Sequence, residues 1–398
     1  MTVPAPARRR LRGVDVARAV ALIGMMGTHL LAEHDAQGRL TPWFWFAAGR
    51  SSALFALLAG VGLALATGGA EPRVLPWRAT ATRIATRALL IAALGMALVR
   101  LDPPIAVILT NYGLLFVLAL PLLRLRSRTL LWLAAAWLAV VPLVSQAWRA
   151  HLPPGPGTQI GFADLADPAS LLTRLALTGY YPVLTWLAYL MVGIAVGRLR
   201  LRRTGVAEAL AAGGLTLAAA AWLLSTALLA AGGWSALLRS GPAQVVAPWL
   251  GLGQLQLRGL YGTTPTTSWW WQAVVSPHSG TPFDLAQTIG SALFVLGSSL
   301  LVCRVVEARR DAVTRVVNGG VEALARTGSM TLTLYSVHVV AADTQQQLTQ
   351  RSTLLLAHVV VAVLVASLWL AVAPRGPLEQ VVHTVSGLTA RAVSRSAR

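Results

Sequence analysis

Lysine is absent from the 398 residues, so all 33 basic side chains are arginine. Cysteine occurs once, at Cys303, which excludes an intramolecular disulfide and leaves that residue to read as a small apolar filler. Charge is scarce: 12% of residues are charged against 56% hydrophobic. That balance excludes an ordinary soluble domain and is the composition of a membrane protein. Acid is scarcer still, with 14 Asp and Glu and a formal net charge of +19. A basic chain invites a nucleic-acid reading. Here, however, the arginines fall in short clusters between apolar segments, as a topology signal does, and no nucleic-acid partner is expected. Also missing are a P-loop, an HExxH or Cys/His metal cluster, and a GxGxxG turn after a strand. ATP-driven pumping therefore has no support, and no metal is expected.

What the chain has is a series of apolar runs. A membrane span needs about 20 apolar residues, and ten segments qualify: 14–32, 43–68, 84–101, 105–123, 129–147, 182–199, 207–231, 284–303, 328–342 and 352–373. The ninth is short. The expected fold is all-α, a polytopic bundle of about ten transmembrane helices in the inner (plasma) membrane with both termini cytoplasmic. The charge pattern sets the sidedness. Clusters at Arg8–Arg12, Arg73–Arg83, Arg124–Arg128, Arg198–Arg203, Arg304–Arg315 and Arg375–Arg398 recur at every second loop, whereas the alternate loops carry scattered arginines such as Arg39, Arg149 and Arg239. Residues 1–13 read as a cytoplasmic basic N-terminus, 14–373 as one transmembrane domain, and 374–398 as a cytoplasmic basic tail whose arginines suit anionic head groups of membrane lipids. The N-terminus mimics a secretory signal, but Asp15 and Arg18 lie inside the apolar stretch and no small-x-small cleavage site follows, so it is expected to be retained. Two outer loops are long, 148–181 with the irregular HLPPGPG and 232–283 with TTPTTSWWWQAVVSPHSGTPFD.

Ionisable groups inside a membrane are costly, and each is a functional suspect. Asp15 and Arg18 are three residues apart on the first helix and form an expected ion pair at its cytoplasmic end. His29 follows Arg18 by eleven residues, which places both on one helix face, roughly 16 Å apart along the axis. Arg50 lies within the second span and needs a carboxylate, a carbonyl cluster or a ligand. Tyr335 and His338 share a face of the ninth span, with His338 near the depth of His29. The outer segment offers His278, Ser279 and Asp284, whose adjacency does not make a triad. Trp269–Trp271 read as interfacial anchors or a sugar platform, and Asn111 with Tyr112 as a weaker polar pair.

The segments RGVDVARAVALIGMMGTHLL, GRSSALFALLAGVGLAL, PHSGTPFDLAQTIGSAL, GSMTLTLYSVHVV and RGPLE, in that order, resemble bacterial membrane proteins of the domain-of-unknown-function 418 type. Those are similar to the heparan-alpha-glucosaminide N-acetyltransferase family and, more distantly, to membrane acyltransferases of family three. The resemblance covers most of the chain. It implies a bundle of about ten helices that moves an acyl group, usually acetyl, from cytoplasmic acyl-CoA to a glycan or glycolipid on the far side. Family-three enzymes carry an Arg, ten residues and a His on their first helix, and Arg18 and His29 match that pattern.

The expected chemistry is acyl transfer with His29 as general base or as an acyl carrier. Arg18, with arginines of the cytoplasmic loops, would hold the phosphates of acyl-CoA, most simply acetyl-CoA, and Arg50 would contact the donor where the oxyanion forms or help to position the acceptor. Asp15, His278, Tyr335 and His338 would bind or support the acceptor or oxyanion. The rival readings are a transporter or flippase for an anionic or lipid-linked solute, with the same groups lining a pathway, and a scaffold without chemistry.

Overall fold

The computed structural model describes residues 10–70, 76–152, 159–240, 255–256, 259–260, 262–309, 311–344 and 351–396. Arg8, Arg9, Arg73, Arg310 and most of the HLPPGPG stretch lie outside these. Apart from one β-bridge between His34 and Leu40, the described regular structure is helical. In chain order the α-helices are α1 (Arg12–Leu30), α2 (Pro42–Ala47), α3 (Arg50–Ala66), α4 (Trp77–Val99), α5 (Leu109–Leu122), α6 (Ser127–Arg149), α7 (Pro168–Thr173), α8 (Val183–Gly197), α9 (Thr204–Leu228), α10 (Trp234–Ser240), α11 (Pro282–Ala308), α12 (Ala312–Ser329), α13 (Thr331–Thr344), α14 (Arg351–Val372) and α15 (Pro377–Ser396).

Helix starts follow local chemistry. The Thr281 side chain accepts from the Asp284 N–H, and Pro282 opens α11 where a missing N–H costs nothing. Asp311 caps α12 by accepting from Thr314 N at 2.9 Å. The second expected span runs from Pro42 to Ala66, with Gly49, at φ +69°, separating α2 from α3 within it, so that Arg50 opens α3.

Six helices among the described residues are long and apolar enough to cross a membrane, and a seventh span forms if the pair Pro168–Thr178 and Val183–Gly197, bent by 57°, counts as one. The remaining expected spans fall on α1, which carries Arg12, Asp15 and Arg18, and on the shorter helices α5 and α13. Helix α8 is buried almost all round, which is the signature of a central helix. Around it, α6, α9 and α14 turn large apolar side chains outward: Trp132 is 78% exposed, Leu223 66% and Leu368 71%. Apolar surface on that scale fits lipid, not water.

With no hydrophobic drive between helices in lipid, close packing depends on small residues. A Cβ at Gly214 of α9 would stand 2.6 Å from Gly290 O of α11, and one at Gly290 would stand 2.6 Å from Gly214 O. Gly193 of α8 lies equally close to the Leu57 carbonyl and Gly60 of α3. Replacing Gly193 by Leu should therefore push α3 from α8 and cost about 1–3 kcal/mol, lowering the thermal midpoint of the detergent-solubilised protein. The same change at Gly205, where nothing lies within 4 Å of a built Cβ, should leave the midpoint unchanged.

Candidate active site

The polar groups gather at two levels along α1. At the level of Asp15 lies a cavity of about 440 Å³ bounded by α1, α3, α4, α5, α13 and α15. Arginines dominate its mouth: Arg10, Arg18, Arg83, Arg87 and Arg375, together with His383. Apolar residues such as Phe55, Leu58 and Phe116 line its body, and Met25, Tyr112 and Tyr335 its depth. Arg18 Nη1 donates to Asp15 Oδ1 at 3.0 Å, as the three-residue spacing predicts, and Arg10 stands 3.6 Å from the other oxygen. Gly62 makes room for this arrangement, since a Cβ there would lie 2.9 Å from Arg18 Nη2. Arg87 lies over the Phe116 ring at 5.4 Å.

The one carboxylate on the cavity wall among the described residues, Glu379 of α15, is already engaged. Its Oε1 accepts from Leu332 N at 2.7 Å and Thr333 N at 3.2 Å, and its Oε2 from the Thr333 hydroxyl at 2.6 Å. These are first-turn amides of α13, which otherwise lack partners. Contacts between Thr86 and Thr389 (3.0 Å) and between Arg83 and His383 (3.5 Å) hold α15 along α4. The expected basic tail is thus a wall of the cavity. Between α4 and α15 a second groove adds Arg391 and Arg395 to the same positive field. His383 is held below the ordinary histidine value by burial and then by Arg375, Arg83, Arg391 and Arg87.

One helical turn beyond Met25 lies the second level. His29 Nδ1 is 3.1 Å from His338 Nε2, with the two ring planes within 10° of each other, and His338 Nδ1 is 2.9 Å from His358 Nδ1. His278 sits in the loop before α11, packed against Tyr180 (4.9 Å), Tyr181 (5.9 Å) and Trp186 (6.5 Å). Its backbone is left-handed, at φ +57°. Burial first, and the nearby His29 second, push its imidazole down to about 4.

The sequence-predicted residues therefore divide. Asp15, Arg18 and Tyr335 border the cavity level, and His29, His338 and His278 form the histidine level. Arg50, expected to contact the donor near the oxyanion or to position the acceptor, stands at the histidine level. It donates to Trp45 O at 2.6 Å and feels the field of Asp284 without a direct ion pair. Asp284 Oδ2 accepts from Gly280 N at 2.9 Å, and its Oδ1 is buried without a protein partner among the described residues. The Ser279 hydroxyl pairs with Thr281 at 3.3 Å, not with His278, so no triad forms. Of the three tryptophans, Trp271 is fully buried, whereas Trp269 and Trp270 are exposed. Sequence reasoning did not single out His358, Arg87 or His383, and it named Arg83 only among the loop arginines. A lone histidine in the apolar run STLLLAHVVVAVLV was signal enough for the first; the others sit in segments with ordinary topological charge.

The described structure is a multi-helix membrane bundle with a basic cavity backed by histidines, and its family match makes it membrane acetyltransferase-like. Residues 10–238 match the family model for heparan-alpha-glucosaminide N-acetyltransferase, catalytic, and the chain belongs to that family. No curated protein matches the chain. The matched region carries Arg18, His29, Arg83, Arg87 and Tyr112, while Tyr335, His338, His358, Glu379 and His383 lie beyond it.

His278 supplies a pH test. Its folded-state value lies below that of a free histidine, so acidification protonates the unfolded chain first. Stability should be unaffected by this group above about pH 6.5 and fall as pH drops from there towards 4, by up to about 3 kcal/mol. His278→Asn, which keeps a side chain tolerant of positive φ, should flatten that part of the curve of thermal midpoint against pH.

Proposed function

We propose that the chain transfers an acyl group, acetyl in the simplest case, from acyl-CoA to a hydroxyl or amine of a glycan or glycolipid acceptor. The donor enters the arginine-lined cavity from the cytoplasm, and the acceptor meets it from the far side of a bacterial inner membrane. Residues 10–13 and 374–398 belong to the cytoplasmic side of a single transmembrane domain. One observation carries this reading: the cavity runs beside α1 from Arg10 and Arg18 to Met25 and stops one turn, about 6 Å, short of His29.

Each part of that cavity suits one part of the donor. The guanidinium groups supply bidentate, permanently charged donors for a diphosphate and a ribose phosphate. The apolar body suits a pantetheine arm. At its deep end Tyr335 OH accepts from Ile108 N at 3.5 Å, which leaves the phenolic proton to donate, and the Tyr112 hydroxyl has no protein partner among the described residues. Two phenol donors aimed at one carbonyl would stabilise the negative charge that develops on thioester oxygen. His29 takes the acceptor proton, the C–S bond breaks as the new C–O or C–N bond forms, and the thiolate takes up a proton as it leaves. Asp15 holds Arg18 in place, and Arg50 with His278 borders the acceptor side. Membrane lipids surround the bundle, and no step requires a metal.

Two variants separate binding from chemistry. With purified protein in liposomes, Arg83→Ala or Arg375→Ala should weaken acetyl-CoA binding by about 10- to 100-fold, the loss expected for a charge-assisted hydrogen bond. His29→Ala should bind acetyl-CoA normally and lose about 10²- to 10⁴-fold in acetyl transfer to a cell-envelope glycan extract. Movement of intact solute without consumption of acyl-CoA would overturn the proposal in favour of a transporter.

A further inference from the structure

His338 is 2% exposed and is bonded through both ring nitrogens, to His29 on one side and His358 on the other. A neutral imidazole has one N–H and one lone pair. Three neutral rings joined in this way therefore admit only two self-consistent proton arrangements. In the first, His29 Nδ1–H donates to His338 Nε2 and His338 Nδ1–H donates to His358 Nδ1. His29 then presents a bare Nε2. In the second, every bond runs the other way, His29 carries its proton on Nε2, and that nitrogen cannot act as a base.

We propose that His358, through His338, holds His29 in the first arrangement and so makes it a base. This rests on the acyl-transfer reading for its chemical consequence, though the hydrogen-bond chain itself does not. His358 is a positioning residue: it lies on α14 and does not border the cavity. When a hydroxyl or amine attacks the thioester, its proton passes to His29 Nε2. The His29 Nδ1–H, and beyond it the His338 Nδ1–H, already have acceptors, so the positive charge spreads along the three rings. The same Nε2 then returns the proton to the leaving thiolate. One C–S bond breaks, one C–N or C–O bond forms, and the rings end as they began. The role corresponds to that of the carboxylate behind a catalytic histidine, with neutral rings in place of the charge that a bilayer would penalise.

The logic makes the tautomer of His29 depend on a residue two rings away. Removing the His358 acceptor strands a buried His338 Nδ1–H without a partner, which is unfavourable. His338 avoids that cost by moving its proton to Nε2, which forces His29 into the inactive arrangement. A glutamine at 358 still offers an amide oxygen and should preserve the active one.

The test uses full-length protein in liposomes with ¹⁵N-labelled histidine. Of the seven histidines, His29 is assigned by loss of its signals in His29→Asn. The expected result is Nδ1-protonated His29 in wild type and in His358→Gln, and Nε2-protonated His29 in His358→Leu. Activity on acetyl-CoA, with glucosamine as probe acceptor, should show kcat reduced about 10- to 100-fold in His358→Leu, KM for acetyl-CoA unchanged, and most of kcat restored in His358→Gln. A His29 tautomer that ignores position 358, or already sits on Nε2 in wild type, overturns the inference. A tautomer that switches as expected in a wild-type protein that consumes no acetyl-CoA would uphold the chain and overturn the acyl-transfer reading instead.

Discussion

Hydrocarbon offers no water to compensate a buried charge, so each guanidinium and imidazole inside this bundle must be answered by protein or by ligand. The two levels along α1 meet that constraint differently. At the basic end carboxylates are outnumbered. Asp15 takes Arg18 and Arg10, and Glu379 is committed to backbone amides. Arg83, Arg87 and Arg375 are left facing the cavity, where a polyanionic substrate would complete the electrostatics. At the other end imidazoles answer one another. Neutral histidine suits that task because a single ring both donates and accepts.

Glu379 joins these two levels. The chain breaks between α12 and α13 at Met330, and the first amides of a helix begun inside a bundle have no water to turn to. A carboxylate from α15 takes them up. In doing so it fixes the start of α13, and hence the positions of Tyr335 at the deep end of the cavity and His338 one turn on. It also seats α15 against α4 as a cavity wall. The cavity is consequently built from both ends of the chain: the family-matched region supplies α1, α3, α4 and α5, and α13 and α15 complete it from beyond that region.

Much of this was legible in the residues. Apolar run lengths located nearly every long helix, because span length is dictated by bilayer thickness. The Asp15–Arg18 pair and the shared face of Arg18 and His29 followed from helical geometry alone. The break beside Arg50 was not legible: a positive-φ glycine at position 49 ends one helix and starts another, and apolar composition does not register such a break. Arg83 was legible only as one of a cluster of loop arginines, and Arg87 and His383 were not singled out, because arginines that set topology and arginines that line a cavity look alike until their neighbours are known.

The sequence by itself determined the class of environment, the all-helical fold and the polarity of α1, because these depend on composition and on contacts within a few residues. Only the tertiary structure decided that His29, His338 and His358, from three helices and up to 329 positions apart, form one hydrogen-bonded chain. It alone showed that a C-terminal helix closes the basic cavity. Both outcomes depend on how helices cross, and crossing is set by where small residues let backbones touch, a property of pairs of helices that no single segment carries.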